Sequence, residues 1–236
     1  GQTHTAKVPS TPEDPSIGVL NGIDRICRES KIDASEISRV MHGTTVATNA
    51  VLTGKGAKVG LVTTKGYKQV LQVARSFCPG GLGGWVSFVK KPLLAPLELT
   101  VEANERMDAN GETVDALDEN ALRGTLTTLK NTGQVEALTI CFINAYLNGA
   151  HEQRAKEVAA EIFTDIPISI SSDLVPEMQE YERTETTVVN SYVRPQVAKY
   201  VDNLNRSLRD SMGEDLHLSI LRSDGGLASA RASAES

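Results

Sequence analysis

Across 236 residues, 24 Lys and Arg stand against 30 Asp and Glu for a net charge of -6, with 40% of positions hydrophobic and 23% charged. Those are ordinary values for a globular chain long enough to bury one large core or two modest ones, and two subdomains is the working count. A mildly acidic chain whose densest basic spot is Lys90-Lys91 offers no footprint for nucleic acid or an anionic membrane. No apolar run approaches the ~18 residues of a membrane span, and the start has no signal-peptide order, so a soluble cytoplasmic protein is expected.

Ile17, Leu20, Ile23 and Cys27 recur at helical steps behind a Pro-rich entry and predict a packing helix over Pro15 to Glu29. An alternation follows: strand Val40 to His42, helix Thr44 to Leu52, strand Lys58 to Thr63, helix Tyr67 to Ser76. That order argues for parallel pairing through right-handed crossovers. Between Phe77 and Pro96 the periodicity stops, and glycines and prolines surround Trp85, which predicts a loop or lid.

A strand is expected near Leu99 to Arg106, then a hairpin turn at Asp108-Ala109-Asn110-Gly111. Asp118 can cap a helix running to Lys130. A buried strand Ala137 to Ile143, a helix His151 to Phe163 and a strand Ile166 to Ser171 complete another α/β unit. Glu177 to Met212 reads as helix with a kink, or two helices meeting near Arg194, because Pro195 removes a backbone donor. A last strand through Leu216, Leu218 and Ile220 runs into the glycine turn Ser223-Asp224-Gly225-Gly226. The segments divide as 1–98, a first α/β part; 99–175, an inserted or second α/β subdomain; and 176–236, the long helical segment and last strand.

The three cysteines, Cys27, Cys78 and Cys141, show no C-x-x-C spacing, so reduced thiols are expected, and Cys141 in its apolar run reads as a small buried hydrophobe. Four places can carry chemistry. His42-Gly43-Thr44-Thr45 lies where a strand ends and a helix begins, so free N–H groups, the helix dipole and two hydroxyls favour an anion, although Thr44 or Thr45 could simply cap the helix. Thr45, Thr48 and Asn49 could share a helix face. Asp224 in the second glycine turn could hold a metal, a water or a hydroxyl, or serve the turn alone. The charged stretch Glu177 to Glu185 reads most simply as a solvated helix face, and the loop Arg75 to Trp85 as either a ligand cover or a surface Ω-loop. No triad, HExxH or Walker loop is present, and the four histidines are widely separated.

Taken together, His42-Gly43-Thr44-Thr45-Val46-Ala47-Thr48-Asn49-Ala50, Gly60-Leu61-Val62-Thr63-Thr64-Lys65-Gly66-Tyr67, Glu180-Tyr181-Glu182-Arg183-Thr184 with Thr187 to Val193, and Ser223-Asp224-Gly225-Gly226-Leu227 go further. In this order they resemble the hydantoinase A / 5-oxoprolinase family over essentially the whole chain. The loop Ala74 to Trp85 looks like the acetone and acetophenone carboxylase branch. The resemblance implies an α/β, actin-like or sugar-kinase-type ATPase fold, here partial, with mixed sheets flanked by helices.

It also implies a subunit of a hetero-oligomeric ATP-dependent ketone carboxylase that uses ATP and Mg²⁺ to activate a small ketone and bicarbonate by phosphorylation for C–C bond formation. A further divalent metal could sit in a partner subunit; no metal ligand is assigned in this chain. By the same resemblance His42 and Asp224 are the catalytic candidates, Gly43, Thr44, Thr45, Gly225 and Gly226 the phosphate-binding ones, and Arg75, Cys78 and Trp85 the substrate loop. Ring opening of a hydantoin or 5-oxoproline is the rival within the fold, and a non-catalytic assembly subunit the rival outside it. Family members open with an Asp-x-Gly-Gly-Thr-type hairpin and carry a second glycine loop after Ser-Asp-Gly-Gly; neither is present, so an incomplete N-terminal portion is expected.

Overall fold

Asp14 starts the first helix: its carboxylate accepts the Ser16 N–H at 3.0 Å, Pro15 takes the first helical position where no donor is needed, and α1 runs Pro15–Ser30. A computed structural model describes residues 2–11, 13–77, 80–81, 83–84, 89–222 and 225–235. The other helices are α2 (Val46–Thr53), α3 (Val70–Val73), α4 (Glu119–Asn131), α5 (Ala150–Ile162), α6 (Ser171–Leu174), α7 (Glu180–Met212) and α8 (Ala230–Glu235). The strands are β1 (Arg39–His42), β2 (Val59–Thr64), β3 (Thr100–Ala103), β4 (Arg106–Met107), β5 (Thr113–Asp115), β6 (Ala137–Cys141), β7 (Ile168–Ile170), β8 (His217–Leu221) and β9 (Leu227–Ser229). None of the described helices is long and apolar enough to cross a membrane.

Two compact units result, one of residues 1–53 with 196–236, the other of 54–195. These cuts differ from the expected segment ends at 98 and 175, because the chain returns to its first unit after Pro195. In the first unit the sheet order is β1-β8-β9, with β1 parallel to β8 and β8 antiparallel to β9. Its core packs Tyr200, Val201, Leu204 and Leu208 of α7 against Leu218 and Ile220 of β8, with Leu20 and Ile23 of α1 alongside.

In the second unit a parallel sheet of order β3-β2-β6-β7 is buried on both faces, and so β2 and β6 read as continuous apolar runs. Leu122 and Leu126 of α4 and Val158 of α5 cover one face with Leu138 and Ile140, while Val188 and Tyr192 of α7 cover the other with Leu61 and Cys141. Burial pushes the Cys141 thiol up, as a small core residue requires.

Four expectations need correction. β1 and β2 do not pair: they belong to different sheets, and β1 takes as partner β8, far along the chain. The helix expected over Tyr67 to Ser76 shrinks to Val70–Val73, because Ala74 and Ser76 both turn to φ 51. The strand expected over Leu99 to Arg106 breaks into β3 and β4 around the Asn104-Glu105 turn. α7 is one helix of 33 residues with Pro195 inside it, not two, although Pro195 has no N–H to give the Ser191 carbonyl. The hairpin stands as read, with Gly111 at φ 79 and Asp108 accepting the Asn110 N–H at 2.8 Å, and Asp118 caps α4 through the Ala121 N–H at 3.0 Å.

Candidate functional site

Parallel pairing of β1 with β8, in a register that puts His42 opposite Ile220, sends the chain out of both strands at the same sheet edge. Gly43 and Arg222 therefore leave the sheet at one edge, and the Leu221 side chain lies 3.7 Å from where a Cβ on Gly43 would stand. Beyond β8 the turn closes with the Gly225 N–H donating to Arg222 O at 3.0 Å and the Arg222 N–H to Gly226 O at 2.8 Å, Gly225 taking φ 83. Gly225 and Gly226 are exposed. Asp224 lies outside the described residues.

On the β1 side, Thr44 is half-buried and its hydroxyl oxygen accepts the Val46 N–H at 3.3 Å, the capping role foreseen as the plainer alternative. Thr45 is exposed; its hydroxyl oxygen accepts from Asn49 Nδ2 at 3.4 Å, and Thr48 is exposed nearby. Gly43 is exposed as well. The segment thus presents a helix start, a glycine without a side chain and one outward hydroxyl, a donor set suited to phosphoryl oxygens.

His42 is not a bare strand-end residue. α7 brings Tyr200 beneath it, with Tyr200 Oη 2.7 Å from His42 Nε2 and the two rings 5.8 Å apart at 53°. The Thr44 side chain also hydrogen-bonds the phenol. Burial holds the His42 imidazole below the usual histidine value and pushes the Tyr200 phenol up. A neutral ring that accepts the Tyr200 proton at Nε2 carries its own proton on Nδ1. Tyr200 was legible only as an apolar-face residue of a long helix.

The charged stretch at the start of α7 is not one solvated face. Arg183 is 1% exposed, and its guanidinium donates to Phe142 O at 2.6 Å, Ser171 Oγ at 3.1 Å and Glu177 O at 3.1 Å. Glu182 is half-buried and takes Arg75 bidentately, at 2.6 and 2.7 Å, while Glu185 on the next turn pushes the Tyr181 phenol up to about 12. Arg75 is thus already engaged by a carboxylate. Cys78 and Trp85 lie outside the described residues. No group of three or more His, Cys, Asp or Glu able to hold a metal occurs among the described residues.

The sequence profile of the hydantoinase/oxoprolinase N-terminal region matches residues 1–163, and that of hydantoinase/oxoprolinase matches residues 183–236. The chain belongs to the hydantoinase/oxoprolinase family. It is 30% identical over 97% of its length to the caprolactamase subunit alpha of Pseudomonas jessenii, covering 33% of that protein. It is 30% identical over 82% of its length to the acetophenone carboxylase gamma subunit of Aromatoleum aromaticum, covering 28% of it.

Among solved structures, the ATP-dependent caprolactamase of Pseudomonas jessenii superposes with a TM-score of 0.86 at 29% identity, over 98% of this chain and 34% of that one. A nucleotide-free acetone carboxylase superposes with a TM-score of 0.84 at 21% identity, over 96% of this chain and 34% of that one. The fold is mixed α/β, of the actin-like ATPase type. The chain spans about a third of the length of these relatives.

Proposed function

We propose that this chain is part of an ATP-dependent subunit of the hydantoinase/oxoprolinase family that activates a carbonyl compound by phosphorylation, with ketone carboxylation of the acetone/acetophenone type as the reaction. The observation that carries the reading is the parallel β1–β8 pair, whose strand ends lead into Gly43, Thr44 and Thr45 on one strand and into the turn closed by Gly225 and Gly226 on the other, at one sheet edge. The superposing caprolactamase, an ATP-dependent enzyme, supports ATP as the phosphoryl source.

The residues present fit the nucleotide in part. ATP, when bound, supplies a phosphoryl group. The N–H groups of residues 43–45 and the Thr45 hydroxyl hold anionic oxygens, and Gly225 and Gly226 close the turn beyond β8 without a side chain. His42, held by Tyr200, donates to an anionic oxygen or moves a proton. Asp224, outside the described residues, is assigned as catalytic from the Ser223-Asp224-Gly225-Gly226 motif alone. Mg²⁺, when bound with ATP, would take phosphate oxygens and one or two carboxylates, and no such carboxylate is assigned in this chain. Arg75, Cys78 and Trp85 stay assigned to a substrate loop, and the protein works in the cytoplasm with other carboxylase subunits, a small ketone and bicarbonate.

Ring opening of a cyclic amide is the second reading, favoured by the caprolactamase relative, which matches 97% of this chain where the carboxylase gamma subunit matches 82%. ATP hydrolysis by the full-length protein with its partner subunits separates the two. Acetone or acetophenone with bicarbonate should stimulate it, and stimulation by caprolactam or hydantoin alone defeats the carboxylase reading. Thr45→Ala should lower that turnover by about tenfold to a hundredfold, the loss of one hydrogen bond to a charged group, and Thr44→Ala should lower it through the lost α2 cap and the lost bond to Tyr200; unchanged kinetics removes them from the site.

A further inference from the structure

The two sheets differ in how they are covered. β2 and β6 of the second unit are buried at every position, under helices on both faces. In the first unit burial alternates along β1 and β8: Val40, Leu218 and Ile220 turn to the core with α1 and α7, and the residues between them turn outward. The register sets Arg39 opposite His217 and Leu221 opposite Leu227 on this outer face.

Apolar side chains stand on it without a cover among the described residues. Met41 is 66% exposed, Leu221 50% and Leu227 51%, with the exposed polar residues Arg39, His217 and Ser229 flanking them. Leu221 and Leu227 form a direct cross-strand pair, and Leu221 reaches over Gly43, two residues beyond Met41 on the same side of β1. Parallel pairing is the mark of sheets covered on both faces, whereas antiparallel sheets commonly leave one face to water and make it polar. The β1–β8 pair is parallel and its outer face carries Met and Leu, so topology and composition both ask for a cover. α1 and α7 already lie on the other face.

Chain length points to the source of that cover. The superposing caprolactamase matches 98% of this chain with 34% of one polypeptide, which leaves about two thirds of that polypeptide outside the match. The caprolactamase alpha and acetophenone carboxylase gamma subunits are covered to 33% and 28%. A segment of the same polypeptide meets the sheet at a high effective concentration, which a separate partner does not have.

We infer that in the full-length protein the outer face of β1-β8-β9 is covered by the apolar side of a helix from the same polypeptide, outside residues 1–236. Helices cover the opposite face and both faces of the second sheet, and a helix laid on a sheet presents an apolar stripe, which Met41, Leu221 and Leu227 complement. The inference stands on the sheet of the first unit and is independent of the phosphoryl reading.

Photocrosslinking in the full-length protein with its partner subunits tests it. The variants Met41→p-benzoylphenylalanine and Leu227→p-benzoylphenylalanine, checked to melt as the parent does, should each join to a peptide of the same polypeptide outside residues 1–236, with a yield unchanged on dilution. A crosslink to a partner subunit, to a second copy or to residues 54–195, or none at all, overturns the inference. Met41 of the parent gives a second measurement that needs no variant. With hydrogen peroxide it should form sulfoxide about tenfold more slowly in the native full-length protein than in urea, whether or not partner subunits are present. Equal rates, or protection that arises only when partner subunits are added, overturn the inference as well.

Discussion

The phenol of Tyr200 sits where it can choose which nitrogen of His42 bears a proton, since its oxygen is 2.7 Å from Nε2. Its donated proton stabilises the neutral ring, so Tyr200→Phe should let His42 protonate more readily. The acid limb of the pH profile for ATP turnover then moves to higher pH, and kcat falls roughly tenfold with KM for ATP little changed. A profile that stays in place leaves Tyr200 as packing. The buried ring also links pH to folding. His42 lies below its usual value in the native state, so the unfolded chain binds the extra proton first. Its contribution to stability is present above about pH 6.5 and is lost as pH falls through the lowered native value. In denaturant titrations at pH 7.5 and 5, His42→Gln should lose less stability on acidification than the parent. An equal loss in the two proteins contradicts this assignment.

At the scale of elements, glycines separate backbone freedom from close packing. A Cβ at Gly56 would overlap the Tyr192 ring that packs on β2, whereas one at Gly124, on the exposed side of α4, meets nothing within 4 Å. Gly56→Ala should destabilise by about 1–3 kcal/mol and Gly124→Ala should stabilise by about 0.5–1 kcal/mol, both read from denaturant midpoints. The reverse order would mean that the loop before β2 yields to the added methyl.

Elements with local chemistry were legible in the sequence: α1 follows its helical apolar spacing behind a Pro-rich entry, α4 its capping Asp118, and the β4–β5 hairpin its Asn-Gly pair. What lacked a local signal was misread. Periodicity tells which face of β1 is buried and nothing of its partner, so the neighbour in sequence, β2, took the place of β8. Arg183 stands among exposed acids and reads as solvated, yet its acceptors Phe142 O and Ser171 Oγ lie on other elements. The hydrogen bond between Glu105 and His151, 46 residues apart, escaped for the same reason.

For the whole molecule, one mildly acidic chain makes two sheets that each present a carboxyl edge, and α7 contributes to both units. The resemblance carried by the His42 to Ala50 and Ser223 to Leu227 motifs led to the family before any geometry, and the β1–β8 register explains why motifs so distant in sequence belong together. The chain covers about a third of its relatives, so the proposed phosphoryl chemistry is to be tested on the full-length protein with its proposed partner subunits. A crystal structure of that assembly with Mg²⁺ and a non-hydrolysable ATP analogue tests the central claim most directly. Phosphoryl oxygens should lie about 3 Å from the N–H groups of Gly43, Thr44 or Thr45, facing the Gly225-Gly226 turn. An analogue bound with its phosphates away from both segments would contradict the account.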